Sequence, residues 1–148
     1  MPYVAVVGPG EASPEERELA EDVGQGLGRA GAIIVCGGLG GVMAAACRGA
    51  STAQGTSIGI LPGTDRAAAN DWVTLAIPTG LGELRNGLVV RAADVVIAIG
   101  GGPGTLSEIA LALKTGVPVV GIATWQIDGV EAASGADGAV KRALELAD

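Results

Sequence analysis

A length of 148 residues suits one domain, 1–148, that buries roughly 70% of the surface its unfolded chain exposes. The formal net charge of −7, with nine Lys and Arg scattered through the chain, argues against a nucleic-acid partner, because a phosphate backbone demands clustered cations. The absence of histidine excludes Ser-His, Cys-His and His-ligated metal chemistry, so any acid–base step falls to a carboxylate, Lys, Tyr, Cys or water.

Tyr3–Val7 reads as a short apolar strand that breaks at Gly8-Pro9-Gly10. Ser13-Pro14-Glu15-Glu16 then supplies an N-cap, a proline at the first helical position and a capping glutamate, which predicts a helix to about Arg29, stopped at Gly31. Ala32–Cys36 is a second strand, apolar throughout as in a sheet buried on both faces. It empties into Gly37-Gly38-Leu39-Gly40-Gly41 before a helix over Val42–Ala53. Cys36 and Cys47 read as small core residues, their sparseness in keeping with a reducing cytosol. Ser57–Leu61 is a third strand, Thr64–Asp71 a loop over the sheet edge, and Trp72–Ile77 a short fourth strand. Leu81–Ala93 reads as a helix with Leu81, Leu84, Leu88, Val89 and Ala92 on one side at spacings of three and four. Arg85 falls inside that stripe. A guanidinium there needs a carboxylate partner or a charged ligand, unless it lies at the stripe's edge and reaches water.

Asp94–Ile99 is the fifth strand, and it opens into Gly100-Gly101-Gly102-Pro103-Gly104-Thr105-Leu106-Ser107-Glu108, which feeds a helix over Leu106–Thr115. A strand that ends in glycines and reopens as a helix brings bare backbone N–H groups and the positive end of a helix dipole to one spot, where a phosphate is stabilised. No Gly-Lys-Ser/Thr follows, so this is not a Walker A loop. Thr105-x-x-Glu108 also reads as a capping box in which the two residues serve only the helix end. Ile109-Ala110-Leu111-Ala112-Leu113 is apolar round the whole helix, which points to cover on more than one side, a homodimer contact included. Val117–Ile122 is a sixth strand, Ala123–Ala133 a loop, and Ala136–Ala147 a final helix.

Strands alternating with helices predict an α/β fold: a Rossmann-like, doubly wound, mainly parallel sheet in a three-layer α/β/α sandwich, with ligands at the carboxyl ends of the strands. All three glycine turns follow strands and face that edge. The candidate binding residues are therefore Gly8 and Gly10, Gly37, Gly38 and Gly40, and Gly101, Gly102, Gly104 and Thr105; Arg85 and Glu108 are the candidate catalytic pair. With neither histidine nor clustered carboxylates, no metal and no resident cofactor is expected. No apolar stretch reaches the ~18 residues of a membrane span and the start carries no charged leader, so a soluble, cytoplasmic protein is expected.

Gly101-Gly102-x-Gly104-Thr105-x-x-Glu108 resembles the Pro-Gly-Gly-x-Gly-Thr-x-x-Glu signature of the Lonely Guy family of cytokinin-activating phosphoribohydrolases. Gly37-Gly38-Leu39-Gly40-Gly41-Val42-Met43 resembles the family's earlier glycine loop, and Arg85 stands where the family's helix carries its catalytic arginine. Gly100 replaces the leading proline and Asn86 stands where cytokinin-activating members have lysine, which is more similar to the neighbouring branch that includes molybdenum-cofactor carrier proteins. The resemblance implies a phosphate-bearing small-molecule ligand and a homodimer or higher homo-oligomer. It implies one of two activities. A nucleoside 5′-monophosphate phosphoribohydrolase would place an ionised Glu108, favoured by the helix dipole, beside the developing oxocarbenium charge, with no acid visible for the leaving base. A non-catalytic carrier of a pterin or nucleotide would use the same glycines and Arg85 to bind only.

Overall fold

Parallel strands need buried faces on both sides, and the apolar runs of this chain supply them. A computed structural model describes all 148 residues. It contains a seven-stranded sheet of β1 (Tyr3–Val7), β2 (Ile33–Cys36), β3 (Thr56–Leu61), β4 (Leu75–Pro78), β5 (Val95–Ile99), β6 (Val119–Ile122) and β7 (Val130–Ala132). The spatial order is β4-β3-β2-β1-β5-β6-β7, parallel throughout. Sequence order runs outward from β1 in one direction and from β5 in the other. The doubly wound, Rossmann-like reading holds, and the crevice opens where β1 and β5 diverge.

Side-chain alternation sorts the core into two layers. Val4 and Val6 of β1 with Val95, Ile97 and Ile99 of β5 face α1 (Pro14–Arg29), α2 (Val42–Thr52) and α5 (Ala136–Leu146). Ala5, Val7, Val96 and Ala98 face α3 (Arg85–Arg91) and α4 (Pro103–Thr115). The helix α1 starts as its sequence dictates: the Glu16 amide donates to Ser13 Oγ at 3.1 Å, the Ser13 amide to Glu16 Oε1 at 2.9 Å, and Pro14 occupies the first turn. The helices α1 and α2 touch backbone to backbone, because a Cβ built on Gly24 would fall 2.0 Å from the Ala46 carbonyl oxygen and one on Gly49 1.9 Å from that of Glu21. Cys36 and Cys47 are buried free thiols with their sulfurs 3.5 Å apart.

Several expectations need correction. The fourth strand begins at Leu75, not Trp72, because Asn70 Oδ1 accepts from the Trp72 amide and holds residues 70–72 as a turn. The loop after β6 contains β7, a three-residue edge strand too short to announce itself. The helix expected from Leu81 opens as a 3-10 turn, Gly82–Leu84, and only Arg85–Arg91 is α-helical. Its buried side chains are Val89 and Val90, while Leu84 is 78% exposed and Leu81 and Leu88 also face outward. Arg85 therefore shares a face with Val89, one turn on, and not with the leucines. The flanks of α4 are covered by this same chain: Leu111 lies beside Gly87 of α3 and Leu113 beside Gly129. No helix is long and apolar enough to cross a membrane.

Candidate functional site

The helix α4 begins two residues before Thr105. Gly102 is its N-cap, Pro103 fills the first helical position, where its missing N–H costs nothing, and the Leu106 amide donates back to the Gly102 oxygen at 2.9 Å. The amides of Gly104 and Thr105 consequently have no carbonyl behind them in the helix. This start removes the capping box: no side chain caps α4, and Thr105 and Glu108 both lie inside the helix, on its buried side. The residue pair whose simplest reading was structural is thereby left free for another role.

A cavity of about 570 Å³ lies at the divergence of β1 and β5. Its walls include Gly8 and Gly10 after β1, Gly37 after β2, Arg85 and Asn86 of α3, and Gly102, Gly104, Thr105 and Glu108 of α4. Residues from four separate segments of sequence thus meet at one site. Gly38, Gly40 and Gly101 lie outside it. Gly38, at φ 78°, makes the turn after β2 and packs on Leu61; Gly40 sits against Gly10; Gly101 faces outward beside Trp125.

Arg85 is the cation of this cavity. Its Nη1 donates to Asn86 Oδ1, and its Nη2 lies so close over Gly37 that a Cβ there would meet it at 2.7 Å. Its Nε is buried with no partner. The ion pair with Glu108 does not form; the structure's ion pairs join Arg48 to Glu21 and Arg142 to Glu131 and Glu145. A half-buried guanidinium without a carboxylate is poised for an anion from outside the chain.

Glu108 behaves contrary to the helix-dipole expectation. Burial pushes its carboxyl up from the ordinary 4.5 to about 7, and the nearby positive charge of Arg85 offsets only part of that. Near neutral pH the group exchanges a proton readily, so it can donate as well as accept. No group of three or more His, Cys, Asp or Glu side chains is placed to hold a metal ion.

Three wall residues escaped the sequence reading as contributors: Asn86, which orients Arg85; Met43, whose sulfur abuts Gly37; and Glu83 on the rim. Only Asn86 carried a signal, its position next to the arginine. Thr124 and Trp125, which brace the α4 turn from behind, carried none.

The model of the SLOG cluster4 family matches residues 1–146. Among solved structures, the chain is similar to the molybdenum cofactor binding protein of Rippkaea orientalis, at 38% identity and a TM-score of 0.94, covering 99% of this chain and 98% of that one. It is also similar to the molybdenum cofactor carrier protein of Chlamydomonas reinhardtii, at 35% identity and a TM-score of 0.91, covering 98% and 97%. An uncharacterized protein of Archaeoglobus fulgidus is 40% identical over 119 residues, 80% of this chain and 78% of that protein.

Proposed function

The chain belongs to the SLOG cluster4 family, and from that premise we propose that it binds a phosphate-bearing small molecule, a pterin or a nucleotide, as a carrier. The observation that carries this reading is the buried Nε of Arg85, which finds no acceptor in the protein, beside a helix N-terminus with open amides. The phosphate lies on Gly102–Thr105 and Arg85 reaches it across the cavity. The likeness to the two molybdenum cofactor proteins favours a phosphorylated pterin as the cargo. Titration with ribose 5-phosphate and guanosine 5′-monophosphate, followed by calorimetry, tests it. Both should bind, and Arg85→Met should weaken both at least tenfold, as expected for a lost charge-assisted hydrogen bond. Failure of every phosphate-bearing probe to bind sinks the proposal.

A second reading rests on Glu108. A carboxyl titrating at about 7 in the wall of the cavity suits hydrolysis of a nucleoside 5′-monophosphate. Glu108 would take a proton from water as its oxygen bonds to the anomeric carbon, while the glycosidic bond breaks with its electron pair leaving on the base. Release of free base by wild type and not by Glu108→Gln would establish the enzyme. Binding without release leaves the carrier.

The homodimer is retained on different ground: the exposed Leu81, Leu84 and Leu88 form its contact in place of α4. Light scattering of wild type and Leu84→Lys measures it, and a wild-type monomer rejects it.

A further inference from the structure

The glycine turn before α4 has an outer side as well as the inner side that lines the cavity. On the outer side the segment after β6 is tied to it twice: Thr124 Oγ1 donates to the Gly100 oxygen, and Trp125 Nε1 donates to the Gly102 oxygen at 3.2 Å. Just before these ties Ala123 is held at φ 49°, a conformation that residues with a Cβ rarely adopt. Beside the turn lies a second cavity of about 490 Å³, walled by Trp125, Ile127, Val130 and Ala132 among others. Trp125 is 41% exposed there.

The first cavity holds no aromatic side chain. Of the other two aromatics, Tyr3 opens β1 at the far end of that strand, and Trp72 lies under the Arg48 guanidinium, 5.6 Å from its ring centroid. Trp125 is thus the one ring beside the phosphate-binding turn, close enough that a Cβ on exposed Gly101 would stand 3.7 Å from its indole nitrogen. Large planar heterocycles bind by stacking on such a surface, and the mixed walls beside the ring, Ile127 and Val130 with Gln126 and Asp128, offer both apolar cover and hydrogen-bonding groups to a heterocycle's edge.

We propose that the second cavity seats the planar heteroaromatic group of the ligand, stacked on Trp125, with the ligand passing over exposed Gly101 from its phosphate at Gly102–Thr105. This rests on the phosphate reading above and adds the specificity-determining residue to it. Trp125 selects for a fused ring system and against a bare sugar phosphate.

Guanosine 5′-monophosphate, whose fused two-ring base approximates a pterin in outline, and ribose 5-phosphate, which has no aromatic base, are the probes. In a Trp72→Phe background, where Trp125 is the sole tryptophan, guanosine 5′-monophosphate should quench the fluorescence and ribose 5-phosphate should not. Trp125→Leu should lower the ratio of the two affinities about tenfold, the scale of one lost base–aromatic stack; Trp125→Phe, which keeps a ring but loses the N–H, should preserve most of it. An unchanged ratio in Trp125→Leu, or binding of the nucleotide without quenching, overturns the proposal while leaving the phosphate seat intact. Were neither probe to bind wild type, the phosphate reading would fail first and this one with it. The quenching experiment needs no change at Trp125, so it decides the matter even if Trp125→Leu does not fold.

Discussion

On one face of the sheet α1 and α2 approach until Gly24 and Gly49 leave no room for a methyl group between backbones. On the other, the starts of α3 and α4 stand far enough from the end of β1 to leave a cavity of about 570 Å³. Both faces are built from the same alternating strand residues and both are rich in glycine. The difference lies in where the glycines sit. Within helices they let two backbones touch; after strands Gly8 and Gly37 are packed as closely, against Ile99 and Arg85, but Gly102 and Gly104 meet nothing within 4 Å and leave amides, Arg85 and Glu108 facing a space. Close backbone packing on the first face leaves room for imperfectly paired polar groups on the second, whose cost is offset elsewhere in the fold.

The harshest way to break the contrast is Gly49→Val. The new Cβ would sit 1.9 Å from the Glu21 carbonyl oxygen, and backbone on both sides prevents either atom from yielding. Separation of α1 from α2 should cost more than about 4 kcal/mol, read as a lowered urea midpoint, and leave little folded protein at 37 °C. A variant of near wild-type stability would show that the two helices slide easily, and the idea of a closely packed face offsetting the open one would go.

The second prediction concerns the open face. Glu108 titrates at about 7 in the folded chain and near its ordinary 4.5 when unfolded. The folded state therefore holds more protons across that interval, and stability falls as pH rises from 4.5 through 7. Glu108→Gln removes the dependence, so its stability relative to wild type should be greater by about 3 kcal/mol at pH 8 than at pH 4. Urea unfolding at the two pH values measures this. Equal differences at both would mean that Glu108 is ionised throughout and that its burial on the open face does not raise its carboxyl.

The closed face was more legible than the open one. Ser13-Pro14-Glu15-Glu16 specified the start of α1, and the apolar runs at Tyr3–Val7, Ala32–Cys36 and Asp94–Ile99 gave the sheet its parallel character, because local propensity and tertiary burial agree there. At the start of α4 they do not. Thr105-x-x-Glu108 has the pattern of a capping box, yet Gly102-Pro103 upstream begins the helix earlier, and proline's preference for the first helical position wins. Leu81, Leu84 and Leu88, before and within α3, misled for a related reason. A stripe at three-and-four spacing marks a face that avoids water, but whether this chain or another covers it is not written in the spacing. The ties from Thr124 and Trp125 to a turn over twenty residues earlier leave no periodic trace at all.

Gly104→Ala gives the smallest effect and the finest test. The same replacement of hydrogen by a methyl group that α1 and α2 cannot accept meets no protein atom within 4 Å at Gly104, a residue of the first turn of α4 in the wall of the cavity. Alanine restricts the unfolded chain more than glycine does, so the variant should be more stable by about 0.5 kcal/mol. The methyl group nevertheless stands at the amides where the phosphate must approach, so affinity for ribose 5-phosphate should fall. Stability and binding then move in opposite directions from one methyl group, as they do where a glycine is kept for a ligand and not for the fold. A gain in stability with affinity unchanged would move the phosphate away from this turn, and a loss of stability would place Gly104 with Gly24 and Gly49 as a packing residue.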